Sequence, residues 1–209
     1  MSQIKYINYS NLEEVSKCHM ESFPNSLSAS LGLKYNIKYL EWFIISEDRF
    51  LIGIESDKKI IGYVGGSAGT GSTSKIIQHS FFSLITSLLK RPWLFFTPKI
   101  LNNTLLIKKN IYARIVKKFE KKTFIDNLSR VKSFGLVVIG VNPKYHNKNY
   151  GTIIINEFDK KCIEMGYEKA HLSVKKDNEN AVKFYLKNGW HIVEESEFYY
   201  SLSKDYNLG

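Results

Sequence analysis

The sequence predicts an α/β fold in which helices flank one central sheet, and three observations carry that reading. Phe134 to Val141 is an almost unbroken β-branched, apolar run, as expected of a strand buried on both faces. It leads directly into Val141-Asn142-Pro143-Lys144-Tyr145-His146-Asn147-Lys148-Asn149-Tyr150-Gly151 and then into helical sequence, so strand, tight loop and helix follow one another without a break. The chain has 209 residues, 44% apolar and 14% aromatic, enough for one core without disulfides.

The elements follow in order. Ile4 to Asn8 alternates as a first strand. Ser10-Asn11-Leu12-Glu13 has capping-box spacing and predicts a helix to about Ser22, ending before Pro24. Ser28 to Ser46 reads as one further helical stretch anchored by Tyr35, Tyr39, Trp42 and Phe43. Phe50 to Glu55 and Lys59 to Gly65 are strands joined by the turn Ser56-Asp57-Lys58. Ser67 to Ser74 is small and Gly-rich, and apolar, basic, helical sequence then runs to about Arg130 with breaks near Pro92 and Pro98. After the buried strand, Tyr150 to Met165 is a helix stopped by Gly166. Ala170 to Val174 is a strand, Asn178 to Asn188 a short helix stopped by Gly189, and Trp190 to Glu194 and Phe198 to Leu202 are closing strands.

Composition narrows the class of function. Cys18 and Cys162 lie far apart in helical sequence without metal-ligand spacing, which reads as two inert thiols in a reduced setting, with no metal expected. The N-terminal residues lack signal-peptide order and no stretch reaches about 18 uninterrupted apolar residues, so a cytoplasmic location is expected. The net charge of +10 is localised: Ser72 to Ser133 holds thirteen Lys and Arg against Glu120 and Asp126. Such a field attracts anions.

A strand, tight loop and helix N-terminus aim free backbone N–H groups and the positive end of a helix dipole at one spot, which suits a pyrophosphate. The run Val141 to Gly151 resembles motif A of the GNAT acetyltransferases, where Val-x-Pro leads into Arg or Gln and a glycine-rich loop. Here His146 stands at the Arg or Gln position, Asn147 and Asn149 replace the first two glycines, and Gly151 keeps the third. Asn is the next most tolerant residue at positive φ, so the loop geometry is expected to survive. Asn178-Glu179-Asn180-Ala181-Val182-Lys183-Phe184-Tyr185-Leu186-Lys187-Asn188-Gly189-Trp190 is similar to the family's motif B, with Trp190 at the usual Phe position. The resemblance is strong from about Phe134 to Leu202 and weaker in the first half, where it rests on element order and on the hairpin Asp57 to Val64.

The resemblance implies the GNAT fold: a mixed, mostly antiparallel sheet with a V-shaped split between strands 4 and 5, flanked by helices. It implies one domain over residues 1–209, with a basic, mainly helical insertion at about 72–133 between strands 3 and 4. It implies transfer of an acetyl group from acetyl-coenzyme A to a primary amine by direct attack in a ternary complex. The pantetheine arm would lie along Ile139, Gly140 and Val141. His146, Asn147, Lys148, Asn149, Tyr150, Gly151 and Thr152 would hold the pyrophosphate, and Asn178 would contact the coenzyme. Tyr185 would protonate the leaving thiolate.

The base that deprotonates the amine is left among His19, His79, His171 and Glu55, with His171 on strand 5 and His19 just before Phe23-Pro24 as the leading candidates. Trp93, Phe95 and Phe96 among Lys and Arg read as a lid over an anionic acceptor, such as a nucleotide-linked amino sugar, and the segment from His19 to Gly32 resembles GNAT enzymes of bacterial surface-polysaccharide pathways. Two other readings fit the sequence: a non-catalytic coenzyme A-binding relative, and a basic protein contacting an acidic membrane surface through the insertion. No nucleic-acid-binding motif is present. Monomer and homodimer fit the sequence equally.

Overall fold

The computed structural model describes residues 2–69, 71–97 and 132–206. Strands β1 (Gln3–Tyr6), β2 (Arg49–Ser56), β3 (Lys59–Ala68) and β4 (Ser133–Val141) pair in an antiparallel run. Strands β5 (Lys169–Lys175), β6 (His191–Glu195) and β7 (Tyr199–Asp205) form a second antiparallel group, with β7 in the middle. The two join where β4 and β5 lie parallel, giving one seven-stranded sheet in the order β1-β2-β3-β4-β5-β7-β6.

The join is short. Ser133 pairs with Lys169, Phe134 with Ala170 and Gly135 with His171, after which no pairing continues. Since β4 runs on to Val141 and β5 to Lys175, the strands part, and this is the expected split between strands 4 and 5. The hairpin joining β2 and β3 turns on Asp57 and Lys58, both left-handed (φ 51° and 61°), which matches the twist of a two-residue hairpin.

Helices cover both faces. α1 (Leu12–Ser22) packs on β3 and β4, with α2 (Leu27–Leu31) and α3 (Leu33–Glu41) beside it. α6 (Tyr150–Glu164) packs on β2, β3 and β4, and α7 (Glu179–Lys187) follows β5. Neighbouring positions of β3 serve opposite layers: the Tyr63 ring meets His19 of α1, while a side chain at position 66 would run into Phe158 of α6. On the α6 side, Phe50 stacks on Phe134 with centroids 4.9 Å apart, and Phe158 closes the cluster. Burying each such ring is worth about 2–3 kcal/mol, so this cluster anchors the point where β4 enters the sheet.

Three local expectations are corrected. Ser10 and Glu13 form no capping box: Asn8 caps a 3-10 turn over Tyr9–Asn11, its Oδ1 accepting the Ser10 N–H, and α1 starts after that turn without a side-chain cap. The stretch Ser28 to Ser46 is not one helix, because Gly32 (φ 86°) breaks it into α2 and α3. The first strand ends at Tyr6 rather than Asn8. The expected insertion is described as far as Thr97, as α4 (Ser72–His79), α5 (Phe81–Leu89) and a 3-10 turn (Pro92–Phe96). Its remainder to residue 131 lies outside the described residues. Leu94 of that turn is buried with Leu31 and Tyr35, and the Arg91 guanidinium donates to the Leu31 carbonyl at 2.9 Å. The described part, residues 72–97, thus docks on α2 and α3. Cys18 and Cys162 are buried free thiols, and burial pushes Cys18 up to about 12. Among the described residues no helix is long and apolar enough to cross a membrane.

Candidate active site

The edge of β4 beyond Gly135 is the first component. The Asn142 N–H donates to the Ile61 carbonyl of β3 at 2.9 Å. Peptide groups alternate sides along a strand, so those of Val141 and Ile139 face the other edge, into the split. Val137, Ile139 and Val141 are half-buried there, whereas Gly140 is buried. His146 Nε2 lies 2.9 Å from the Val141 carbonyl, so the imidazole N–H folds back onto the end of β4. At the position where the motif has Arg or Gln, this side chain closes the loop on its own strand.

The loop is the second component. Asn142 Oδ1 accepts the Lys144 N–H at 3.0 Å and its amide donates to the Glu21 carboxylate, tying the loop to α1. Pro143–Tyr145 form a 3-10 turn, and Asn147 and Asn149 both take positive φ. α6 then starts at Tyr150. Asn149 gives no side-chain cap and the first turn carries no acid. The first-turn N–H groups therefore face the loop without an internal acceptor, where an anion is favoured. Lys148 sits over the Tyr145 ring, and a Cβ on Gly151 would lie 3.1 Å from Phe184 of α7. Gly151 thus lets the two helices approach, and Thr152 lies in the first turn behind it.

The third component is α7. Asn178 caps it, Oδ1 accepting the Ala181 N–H at 3.3 Å. Tyr185 is buried against Phe184 and Trp190, with ring centroids 5.4 and 5.9 Å away. Among the described residues its hydroxyl has no hydrogen-bond partner, and burial pushes its pKa upward, so the phenol stays protonated at neutral pH.

The candidate bases separate. His19 is buried, with Nδ1 2.5 Å from the Tyr63 hydroxyl and Nε2 2.9 Å from Ser28 Oγ. Burial lowers its pKa to about 4, so it is neutral at pH 7. Tyr63 is the register partner of Gly140, and a Cβ on Gly140 would lie 3.0 Å from the Tyr63 hydroxyl oxygen and 3.0 Å from the Phe23 ring. His19 therefore reaches β4 through Tyr63.

His171 lies at the closed end of the split, opposite Gly135, with Nδ1 buried and unpartnered among the described residues; burial lowers its pKa as well. His79 sits at the end of α4 beside Glu41 at 3.0 Å. Glu55 is bound to Lys5 at 2.5 Å on β2, two strands from β4. The fold brings neither to the split. Tyr63 was not foreseen as a site residue. It stands in a hairpin strand among apolar neighbours, and only its pairing with Gly140, one strand away, gives it a position at the site. Among the described residues no group of three or more His, Cys, Asp or Glu is placed to hold a metal.

Residues 112–190 match the model of the acetyltransferase (GNAT) family. No curated protein matches the sequence. Solved structures resemble the whole chain. The PaiA N-acetyltransferase from Thermoplasma acidophilum, solved with coenzyme A, superposes with TM-score 0.56 at 14% identity over 99% of both chains. A GNAT-family acetyltransferase from Streptococcus pneumoniae gives 0.57 at 15% identity, over 99% of this chain and 100% of that one. The ribosomal-protein-S18-alanine N-acetyltransferase from Escherichia coli gives 0.52 at 10% identity, over 100% and 96%. The matched segment spans the β4 edge, the loop, α6 and α7 described above, so residues 112–190 are identified as a GNAT acetyltransferase domain, whose co-substrate is acetyl-coenzyme A, and the split sheet around them has the fold of these solved acetyltransferases.

Proposed function

We propose that this acetyltransferase acylates the primary amine of a small anionic acceptor, of the nucleotide-linked amino-sugar kind, by direct attack within a ternary complex. Residues 1–209 are read as one domain, with 72–133 inserted between β3 and β4. The observation that carries the reading is the open edge of β4 running into an uncapped helix N-terminus. Ile139, Gly140 and Val141 are the residues assigned to the pantetheine arm, as an added strand. The loop from His146 through Asn147, Lys148, Asn149 and Tyr150 to Gly151 and Thr152 is assigned to the pyrophosphate, and Asn178 to a further contact with the coenzyme. Coenzyme A supplies the activated acyl group; the chain supplies alignment and proton transfer. Tyr185, kept protonated by burial, is assigned as the acid for the leaving sulphur, and His19 is favoured over His171 as the base because it connects to β4 where the strands have parted. The anionic character of the acceptor is supported by the basic insertion, whose described part docks on α2 and α3 beside His19.

Calorimetric titration with acetyl-coenzyme A, of the wild type and of Lys148→Glu, is the test. Saturable binding weakened about tenfold by the reversal, as one misplaced charge near a pyrophosphate would do, supports the assigned loop. Absence of binding up to about millimolar concentration would remove the coenzyme from this loop. A panel of amines then addresses the acceptor: reaction of peptides or polyamines with amino sugars and their nucleotides inert would sink the sugar assignment.

A second use of the insertion is favoured by one observation. Phe82, Leu89 and Trp93 are exposed, Lys75 and Lys90 lie exposed beside them in the chain, and residues 58 to 119 contain no acid. That combination suits contact with an acidic membrane surface. Co-sedimentation with phosphatidylserine vesicles at low salt, abolished by Phe82→Ser with Trp93→Ser, is the outcome this use requires.

A further inference from the structure

We infer that Tyr63, together with His19 and Ser28, forms a proton relay that deprotonates the acceptor amine, an assignment that rests on the acetyltransferase reading above. The relay is an unbroken line of side chains from three elements. Ser26 Oγ lies 2.9 Å from Ser28 Oγ, Ser28 Oγ 2.9 Å from His19 Nε2, and His19 Nδ1 2.5 Å from the Tyr63 hydroxyl. The inner two members are buried and the two serines half-buried, so the line leads from the interior towards solvent.

Both nitrogens of His19 meet hydroxyls. A hydroxyl donates and accepts at once, so every link can pass a proton outward while receiving one from within. The inner end is set by Gly140: any larger residue there would collide with the Tyr63 ring and hydroxyl. The missing side chain lets the phenol lie against the strand whose open edge is assigned to the thioester arm. Other titratable groups facing His19 are Tyr39 of α3, its ring centroid 5.4 Å away, and Cys18 and Glu21 on α1 itself, with Glu21 held by Asn142. α2 contributes only the serines.

The proton balance is as follows. At rest the Tyr63 hydroxyl donates to Nδ1, and the Nε2–H donates to Ser28. When the acceptor ammonium passes a proton to the Tyr63 oxygen, the hydroxyl's own proton moves to Nδ1, the Nε2 proton to Ser28, and the Ser28 proton through Ser26 to water. The freed nitrogen lone pair forms the C–N bond at the thioester carbonyl as the C–S bond breaks. The second proton shed by nitrogen ends on the leaving sulphur, so one proton is released per turnover. Exchange with solvent after product release restores the starting tautomer.

The test compares wild type, Tyr63→Phe and Ser28→Ala in acetyl transfer to a panel of a nucleotide-linked amino sugar, glucosamine, spermidine and a lysine peptide, from about pH 6 to about pH 10. Coenzyme A affinity and thermal midpoint are measured alongside. Tyr63→Phe keeps the ring over Gly140 and removes only the hydroxyl. The expected result is kcat/KM lowered about 100-fold near pH 7, with coenzyme affinity kept within about twofold. Ser28→Ala, at a half-exposed position, should lose about tenfold. In both, the deficit should shrink as pH rises through the acceptor's own pKa, because a free amine has no proton to pass on. A purely structural role would give the same loss at every pH. That result, or an unimpaired Tyr63→Phe enzyme, overturns the relay alone. A wild type that binds acetyl-coenzyme A yet acetylates no amine in the panel overturns the transfer reading and the relay together.

Discussion

Asn147 and Asn149 share the left-handed conformation across one intervening lysine, with φ of 60° and 63°. They stand where the GNAT motif carries its first two glycines. Left-handed backbone costs an ordinary L-residue about 1–2 kcal/mol, and asparagine less. Asn149→Ala should therefore destabilise the fold by about 1 kcal/mol and weaken acetyl-coenzyme A binding severalfold, while Asn149→Gly retains both. Thermal denaturation and calorimetry of the two variants check this, and an alanine variant binding like the wild type would remove the conformational role assigned to Asn149.

The burial of His19 carries a pH dependence of stability. Its usual pKa of 6.5 is lowered to about 4 by desolvation, so the folded chain resists a proton that the unfolded chain accepts. The sign follows: the contribution is fully present above about pH 6.5 and is lost as pH falls towards about 4, amounting at most to about 3 kcal/mol. His171, lowered by burial as well, acts in the same direction. Urea unfolding at about pH 7 and about pH 4.5 should show a clear loss for the wild type and a smaller one for His19→Gln. Equal losses in the two proteins would mean that His19 titrates elsewhere.

The parts of the site legible in the sequence were those encoded by adjacent residues. The β-branched run of β4, the asparagines of its loop and the short helix from about Asn178 to the Gly189 stop each state their conformation locally, and the structure places them accordingly. Contacts between distant residues were not legible. His19 and Tyr63 are 44 positions apart, and their meeting depends on how α1 lies across β3. Local competition also defeated local rules: Asn8 caps a turn ahead of the Ser10-to-Glu13 pattern, and Gly32 breaks a helix whose flanks both read as helical. His146 shows a third limit. Its position in the motif was clear, but its turn back onto the Val141 carbonyl follows from loop geometry.

Asp159 on α6 joins three parts of the second half. Its carboxylate accepts from Lys204 Nζ and from the Tyr206 hydroxyl, each at 2.7 Å, and the same ammonium donates to the Asn188 carbonyl at the end of α7. The residue is 8% exposed, so removing its charge leaves a partly buried ammonium without its counter-ion. Asp159→Ala should cost about 3 kcal/mol. Because Lys204 also holds the end of the helix that carries Tyr185, the variant should lose acetyl transfer at temperatures below its unfolding midpoint. Denaturant curves paired with activity at about 25 °C decide this; full activity with lowered stability would show that the tether leaves Tyr185 in place.

Tyr185 itself allows a separation of binding from chemistry. Its ring is packed between Phe184 and Trp190, so phenylalanine conserves the packing and removes only the hydroxyl. An acid that acts on the departing sulphur contributes in the transition state and little in the ground state. Tyr185→Phe should then lower kcat by about 100-fold or more, leave the KM for acetyl-coenzyme A nearly unchanged, and keep the thermal midpoint close to that of the wild type. A rise in KM at constant kcat would instead assign the hydroxyl to coenzyme binding. The remaining proton transfer would then fall to the Tyr63 relay, and the Tyr63→Phe, Tyr185→Phe double variant would be no slower than Tyr63→Phe once acetyl-coenzyme A is saturating.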